Sequence, residues 1–389
     1  MKKLNYIVTF LTIITITFLC IGCSHDREVY NDKEITSSSI NWSDMEITDS
    51  LDLKYAEKFS VDYYDGGYAL VTIMHKGKFL VVPEGKEPPL NLDNDITVLK
   101  KPINNIYLTA TSTMGLIDSL NSIDRITMSG TQKENWYIEN AVKAMEDGSI
   151  VFAGKYNNPD YELIQSKNCE LSIQSTMVEH KPEVKEKLEE IGIPVLIELS
   201  SYESHPLGRT EWIKLYGLLF DKEDEAEDLF NKQIAYMDEV AQKEASGKTV
   251  AYFYISSSGQ VVARRTGDYI SKMIDIAGGK YIFDNLGDPE SALSTVKLEM
   301  EEFYSTAKDA DYIIYNSTID GNVGSIEDLI SKNELLKDFK AVKENNVWCT
   351  NQNFFQDMMN LGAMISDINQ LLSSDENGVE ELDFVYKLK

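Results

Sequence analysis

Histidine, cysteine and basic residues are scarce in this chain of 389 residues, which has 4 His, 4 Cys and 37 Lys and Arg against 64 Asp and Glu. The formal net charge is −27. So few basic residues argue against a nucleic-acid binder, which needs a basic face for the phosphates. They also argue against docking on an anionic membrane through a polybasic patch. With so few His and no His-Glu-x-x-His motif, a zinc site is not supported.

Apolar residues make up 43% of the chain, which is enough for full-sized hydrophobic cores. The N-terminus has the form of an export signal. Lys2 and Lys3 are followed by an uncharged run from residue 4 to residue 22. The same run is long enough to be a single transmembrane anchor.

The end of this run resembles the bacterial lipobox, in which a Cys follows a small residue and is lipidated after cleavage. Cys23 follows Gly22, although Cys20 stands at the −3 position where Leu is usual. The resemblance implies a signal peptide over residues 1–22, acylation of Cys23 with fatty chains such as palmitate, and anchoring on the extracytoplasmic face of the cell membrane.

A polar, acidic stretch without helical or strand periodicity follows, and we interpret residues 23–54 as a flexible tether. Beyond the export segment only Cys169 and Cys349 remain. An exported protein could pair them. They lie in different halves of the chain, so we expect two unpaired thiols.

The body has an α/β pattern in two halves. Alternating apolar residues separated by Gly turns predict β-hairpins over residues 55–82. From residue 103, apolar strand cores alternate with amphipathic helices, which predicts mostly parallel sheets. We assign an N-terminal lobe to residues 55–208, a connector with a long bridging helix to 209–246, a C-terminal lobe to 247–373 and a tail to 374–389. The bridging helix predicts small lobe motions.

Five stretches in this order resemble the iron–siderophore and vitamin B12 type of periplasmic-binding protein, the receptor of an ATP-driven importer: Ile103–Ser112, Asp118–Ile126, Tyr161–Ile173, Met273–Lys280 and Ala341–Trp348. The resemblance covers about residues 103–372. It departs from the family pattern at Cys169, where Pro is usual. It implies two βαβ lobes, a chelate ligand in the cleft between them, no catalysis, no cofactor and a monomer that docks on a permease.

Open α/β sheets bind ligands at the carboxyl ends of their strands. Loops at these positions supply our candidate ligand-binding residues: Ser112, Thr113, Met114, Tyr202, His205, Arg209, Arg264, Arg265, Asn316, Asn353 and Phe354. The adjacent arginines are the most informative, because Arg can clamp an anionic chelate with paired hydrogen bonds. Strand alternation allows only one of them to face the cleft.

In this family one surface Glu on each lobe docks into Arg pockets of the permease. The resemblance assigns this role to Glu162 in the first lobe and to Glu301 in the second, where Glu299 and Glu302 compete. A solvated helix face is the alternative for all of them.

Two other functions stay open at the level of sequence. A receptor for free metal ions would use His180, His205 and carboxylates. An exported serine hydrolase would use one of two Ser-x-x-Lys matches, at Ser294 or Ser305, although Gly-x-Ser-x-Gly, Ser-Asp-Asn and Lys-Thr-Gly elements are absent.

Overall fold

The computed structural model describes residues 40–287, 294–319, 321, 323–373 and 382–389. The predicted signal peptide, Cys23, most of the predicted tether and the first half of the predicted tail lie outside these residues. The α/β architecture with parallel sheets and N-terminal antiparallel strands is confirmed. Within the described ranges, no helix is long and apolar enough to cross a membrane.

A five-stranded sheet forms the N-terminal part of the body, with its strands in chain order. Its strands are β1 (Ile47–Ser50), β2 (Phe59–Tyr64), β3 (Tyr68–Ile73), β4 (Gly77–Val82) and β5 (Ile96–Lys100). Successive strands are antiparallel except for the parallel β4–β5 pair. Gly66 and Gly67 make the turn between β2 and β3 with positive φ, which only Gly adopts without strain.

The predicted tether is wrong in its last part. Residues 47–50 form β1 and pair with β2, and Asn41 bridges to Leu90. All four β1 side chains are exposed, so the strand carries no apolar alternation that the sequence analysis could detect. Pairing with the free edge of β2 makes it a strand.

The N-terminal lobe is built on a sheet of parallel strands in the order β12-β11-β6-β7-β8. Because the strands are parallel, their carboxyl ends meet at one edge. The lobe contains β6 (Ile106–Leu108), α1 (Thr111–Ser119), β7 (Ile126–Ser129), α2 (Glu139–Glu146), β8 (Val151–Phe152), β9 (Gly154–Lys155), β10 (Asn158–Pro159), α3 (Tyr161–Ser166), β11 (Leu171–Ser175), α4 (Pro182–Glu190) and β12 (Val195–Glu198). Strands β9 and β10 form a separate small hairpin.

The connector consists of α5 (Pro206–Glu211), α6 (Ile213–Phe220) and α7 (Glu223–Ala241). The sequence predicted one helix over 209–220, but Trp212 separates α5 from α6. The bridging helix α7 has 19 residues and spans about 28 Å. It packs against α6 on one side and against the last helix of the C-terminal lobe on the other.

The C-terminal lobe has a mixed sheet in the order β16-β14-β13-β17-β18-β19, with β15 also beside β13. Its elements are β13 (Thr249–Ile255), β14 (Val261–Arg264), α8 (Tyr269–Ile276), β15 (Lys280–Tyr281), β16 (Thr295–Leu298), α9 (Met300–Ala307), β17 (Tyr312–Tyr315), α10 (Ile326–Lys332), α11 (Lys340–Lys343), β18 (Val347–Thr350), α12 (Leu361–Ser373) and β19 (Val385–Lys387). Strands β13, β15, β17 and β18 are parallel neighbours.

The chain end is part of this lobe rather than a separate tail. Strand β19 pairs antiparallel with β18, and Phe384, Val385 and Leu388 are buried. The N–H of Phe384 donates to the carboxylate of Asp367 on α12 at 3.0 Å. Cys169 and Cys349 are free thiols, as expected.

Candidate functional site

A cavity of about 510 Å³ lies between the two lobes, at the carboxyl ends of the parallel strands β6, β11, β17 and β18, and Arg264 at the end of the antiparallel strand β14 also lines it. This is where open α/β sheets bind ligands. The connector adds Arg209 and the segment before α12 adds Met358. The lining residues are Thr109, Ala110, Thr111, Ser112, Tyr137, Ser175, Met177, Ser201, Arg209, Arg264, Asp268, Tyr269, Ser294, Thr318, Ile319, Gln352, Phe355, Gln356 and Met358.

The wall that the N-terminal lobe supplies is uncharged and rich in small hydroxyl side chains. Ser112 and Ser201 meet across it, with their Oγ atoms 3.5 Å apart. Thr109 donates from its hydroxyl to the side-chain oxygen of Gln174 at 2.7 Å. Gly130 allows a close approach, because a Cβ there would lie 2.8 Å from the Thr109 methyl carbon. This wall offers hydrogen bonds without a fixed charge.

Arg209 on α5 is the cation of the cavity floor, and its side chain is almost fully buried. Its Nε donates to the carbonyl oxygen of Glu203 at 3.1 Å, and a terminal nitrogen donates to the carbonyl of Ser201. Its guanidinium carbon lies 3.6 Å from the ring centre of Tyr269 in the other lobe. Burial lowers the pKa of Arg209, but the group stays protonated at neutral pH. In the described part of the chain this guanidinium forms no ion pair within 4 Å, although the carboxylates of Asp268 and Glu198 act on it from farther away.

Arg264 provides a second cation from the end of β14. Its guanidinium lies 3.6 Å from the carboxylate of Asp268 and 4.9 Å from the ring centre of Phe355. Asp268 is also the N-cap of α8, since it accepts from the N–H of Ile270 at 3.0 Å. The same Asp268 carboxylate thus pairs with Arg264 and caps α8.

Arg265 points away from the cavity, as strand alternation requires of one residue in the pair. Its Nε donates to the carbonyl of Thr295 at 3.3 Å, and its side chain packs against Gly287. Of the two candidate arginines, Arg264 therefore lines the cavity and Arg265 does not.

Four other candidates are buried in the interior and do not line this cavity. Thr113 and Met114 are buried, because α1 starts at Thr111 and turns them toward the interior, where the Thr113 hydroxyl meets that of Tyr216 at 3.3 Å. Asn316 is fully buried beneath Thr318, from which its side-chain oxygen accepts two hydrogen bonds. Phe354 is buried, and its ring centre lies 6.4 Å from that of Tyr252.

Asn353 lines a different, smaller cavity of about 210 Å³ that also borders α1. The predicted loop does border the main cavity, but through Gln352, Phe355 and Gln356 rather than through Asn353. A loop has no fixed periodicity, so the sequence does not show which of its side chains turns inward.

Tyr202 and His205 are engaged elsewhere. The Tyr202 hydroxyl meets that of Thr176 at 2.8 Å, outside the cavity lining. His205 caps α5, since its Nδ1 accepts from the N–H of Leu207 at 3.1 Å, and its ring stacks on Tyr55 at 4.5 Å. Burial lowers the pKa of His205, so it is a neutral structural ring.

The two alternative functions were a receptor for free metal ions and a serine hydrolase. In the described ranges no three His, Cys, Asp or Glu side chains are arranged to hold a metal ion. Ser294 borders the cavity, but its Ser-x-x-Lys partner Lys297 is exposed on β16.

Sequence reasoning missed the apolar rim of the cavity. Tyr137, Met177 and Ile319 line it and yet expose 47, 44 and 59% of their surface. Exposed apolar side chains that cluster at one opening mark a binding surface. No periodic signal precedes them, because each lies outside a regular helix or strand in its own lobe.

Behind the neutral wall, Glu198 ends β12 and is almost fully buried. Its carboxylate accepts from the N–H of Ser200 at 2.8 Å. Burial raises its pKa to about 7, while that hydrogen bond and the nearby charge of Arg209 act in the opposite direction. The N-terminal wall thus carries a charge that changes near neutral pH.

A family model described as periplasmic binding protein matches residues 113–353, which is more than half of the chain. The chain belongs to this family. An uncharacterized lipoprotein of Methanocaldococcus jannaschii is 25% identical over 401 residues, which cover 96% of this chain and 93% of the relative. A second lipoprotein of that organism is 25% identical over 351 residues, covering 87% of each chain.

Solved structures share the fold of this periplasmic binding protein. A periplasmic binding protein of Veillonella parvula has a TM-score of 0.57 at 15% identity and covers 81% of this chain and 97% of its own. The petrobactin-binding protein of Bacillus subtilis has a TM-score of 0.55 at 15% identity, with coverages of 70% and 94%. A heme-binding protein of Roseiflexus has a TM-score of 0.54 at 16% identity, with coverages of 69% and 97%.

Glu162 and Glu301 occupy equivalent places in the two lobes of this periplasmic binding protein. Each is exposed in the first turn of a helix that leads into a parallel strand, α3 before β11 and α9 before β17. Such a helix runs antiparallel to its strand and begins at the carboxyl edge of the sheet. Both carboxylates therefore lie on the same side of their lobes as the cleft.

Proposed function

We propose that this periplasmic binding protein is the lipid-anchored substrate-binding component of an ATP-driven importer. Its ligand is a ferric siderophore or a related iron or corrinoid chelate, held in the interlobe cavity. Family membership supports the receptor role, and structures that share the fold include petrobactin- and heme-binding proteins.

The observation that carries the ligand class is the buried guanidinium of Arg209. A buried charge is costly unless it is closely paired. Asp268 and Glu198 act on Arg209 only beyond ion-pair distance, so a bound anion would offset the remaining cost. Arg264 adds a second cation, which pairs with Asp268 at 3.6 Å. A cavity of about 510 Å³ suits a ligand of drug size. Two arginines over hydroxyl-rich walls favour an anionic chelate.

A titration of the full chain in detergent tests this function. Tryptophan fluorescence is followed as a strongly anionic ferric tris-catecholate, an uncharged ferric hydroxamate, hemin and cobalamin are added in turn. We expect an anionic member to bind, and we expect Arg209→Gln to weaken it about 10-fold or more, the value of a charge-assisted hydrogen bond.

Arg125→Gln is the matched control for this titration. Arg125 lies at the amino end of β7, away from the cavity, and donates to the side-chain oxygen of Asn104. Its loss removes the same charge without touching the floor. Equal affinities of the two variants, or tightest binding of the uncharged hydroxamate, would contradict the proposed ligand class.

Membrane anchoring and permease docking complete the proposal. The lipoprotein relatives support an anchor at Cys23, and the placement of Glu162 and Glu301 supports docking. Uptake of the bound chelate by cells separates the two roles. Cys23→Ser releases the protein from the membrane fraction, whereas the double variant Glu162→Gln/Glu301→Gln stays bound to it and lowers uptake with unchanged ligand affinity. Normal uptake by the double variant would contradict the docking role.

A further inference from the structure

We propose that the loop of residues 54–58, here named the strap, is a positioning element of the binding site. The strap lies between β1 and β2 and holds helix α5 of the connector, so that Arg209 faces the cleft. The proposal rests on the proposed function in one respect, since it takes Arg209 to contact the ligand.

The strap turns five consecutive backbone N–H groups onto two buried carboxylates. Glu211 accepts from the N–H groups of residues 54, 55 and 56 at 2.9, 2.7 and 2.8 Å. Glu203 accepts from those of residues 57 and 58 at 3.0 and 2.8 Å. Hydrogen bonds to a carboxylate are about twice as strong as neutral ones. Because both carboxylates are buried, losing these donors would leave Glu211 only Lys214 at 3.3 Å and Glu203 only the indole N–H of Trp212 at 3.0 Å.

Glu203 links the strap to Arg209 directly. Its carboxylate accepts from the strap and from the indole N–H of Trp212 at 3.0 Å, while its backbone carbonyl accepts from Nε of Arg209 at 3.1 Å. The same residue therefore holds the strap with its side chain and the guanidinium with its main chain.

The strap also contacts residues of α5 that precede and follow Arg209 in the sequence. Its Tyr55 ring stacks on His205 at 4.5 Å. The carbonyl of Tyr55 lies so close to Gly208 that a Cβ there would approach it to 2.8 Å. Contacts at positions 203, 205, 208 and 211 fix the rotation of this short helix, and the rotation decides where the side chain of Arg209 points.

The role belongs to a part of the chain outside the segment that the family model matches, residues 113–353. The N-terminal sheet thus acquires a function in binding although none of its residues lines the cavity. It holds the connector in position.

A variant that removes a charge but keeps the side-chain shape separates positioning from simple electrostatics. Glu203→Gln removes a negative charge near Arg209, and on electrostatic grounds alone anion binding would become tighter. A positioning role predicts the opposite sign, because the Gln amide nitrogen cannot accept the bond that Glu57 N–H makes to the second carboxylate oxygen, and the remaining amide oxygen accepts more weakly than a carboxylate. Glu57→Gln is the matched control, since the exposed side chain of Glu57 lies on the strap and only its backbone N–H takes part.

The experiment uses the full chain and two readouts. The first is affinity for a ferric tris-catecholate probe, which we expect Glu203→Gln to weaken about fivefold, the value of one hydrogen bond near 1 kcal/mol. The weakening disappears in the Arg209→Gln background, because the effect acts through Arg209. The second is the rate at which phenylglyoxal modifies Arg209 relative to Arg264 in the same protein, measured by mass spectrometry. That ratio rises in Glu203→Gln and stays at the wild-type value in Glu57→Gln.

The outcomes separate this proposal from the proposed function. Tighter probe binding by Glu203→Gln, additive effects with Arg209→Gln, or an unchanged modification ratio overturns the positioning role. If wild type binds no chelate, the proposed ligand class fails while the modification ratio still decides whether the strap positions Arg209. Glu211→Gln provides the same test should Glu203→Gln fail to fold.

Discussion

The two walls of the cleft are built from different chemistry. The N-terminal wall presents small hydroxyl side chains and no charged residue. The opposite wall presents Arg264, Asp268 and aromatic rings, and Arg209 projects from the connector between them. The charges that line the cleft thus lie on the C-terminal wall and the connector, each cation beside an aromatic ring. The hydroxyl wall contributes directional hydrogen bonds of smaller value.

The largest expected effect comes from the charged wall. Arg264→Gln weakens binding of an anionic chelate by about 10- to 100-fold, since hydrogen bonds to charged groups are worth about 1.5–3 kcal/mol. The adjacent Arg265 is the matched control, because it faces away from the cavity. Fluorescence titration of Arg265→Gln gives the wild-type affinity. A comparable loss in both variants would show that net charge, rather than the wall, governs binding.

The charge hidden behind the hydroxyl wall gives the next effect, on stability. The pKa of Glu198 is raised to about 7 in the folded protein, above its value of about 4.3 in an unfolded chain. Glu198 therefore contributes stability that is complete below pH 4 and is lost as the pH rises through 7. Between pH 5 and 8 the free energy of unfolding falls by about 2 kcal/mol on this account.

Thermal unfolding from pH 5 to pH 8 measures this loss. Residue 198 cannot titrate in Glu198→Gln. The difference in unfolding free energy between wild type and variant therefore changes by about 2 kcal/mol between pH 5 and pH 8. Glu186→Gln, on the exposed face of α4, serves as the control and follows wild type. Parallel curves for wild type and Glu198→Gln would mean that the buried carboxyl does not titrate in this window.

The smallest effect belongs to the hydroxyl wall itself. Ser112→Ala removes one neutral donor and weakens chelate binding by about two- to fivefold, as expected for a net hydrogen bond of about 0.5–1 kcal/mol. Ser119→Ala on the same helix is the control, since its hydroxyl donates to the carbonyl of Gly115 and does not line the main cavity. A loss as large as that of Arg264→Gln, by calorimetry or fluorescence, would reverse the proposed ranking of the walls.

The sequence by itself determined the alternation of strands and helices in both lobes, the loops that approach the cleft and the rule that only one of two adjacent arginines can face it. Each of these follows from local periodicity, because a strand alternates its faces and parallel strands end at one edge. Only the structure showed that Arg264 is the arginine that lines the cavity.

Only the tertiary structure decided which loop residues turn inward and what the N-terminal segment does. Phe355 rather than Phe354 reaches the cavity, and His205 caps a helix instead of meeting a ligand. The strap and Glu211 lie 157 residues apart in the chain, as the bond from the N–H of Lys54 shows. Neither the exposed strand β1 nor the backbone bonds of the strap produce a periodic pattern in the sequence. A pattern of apolar residues shows which face of an element is buried, but not which partner covers it.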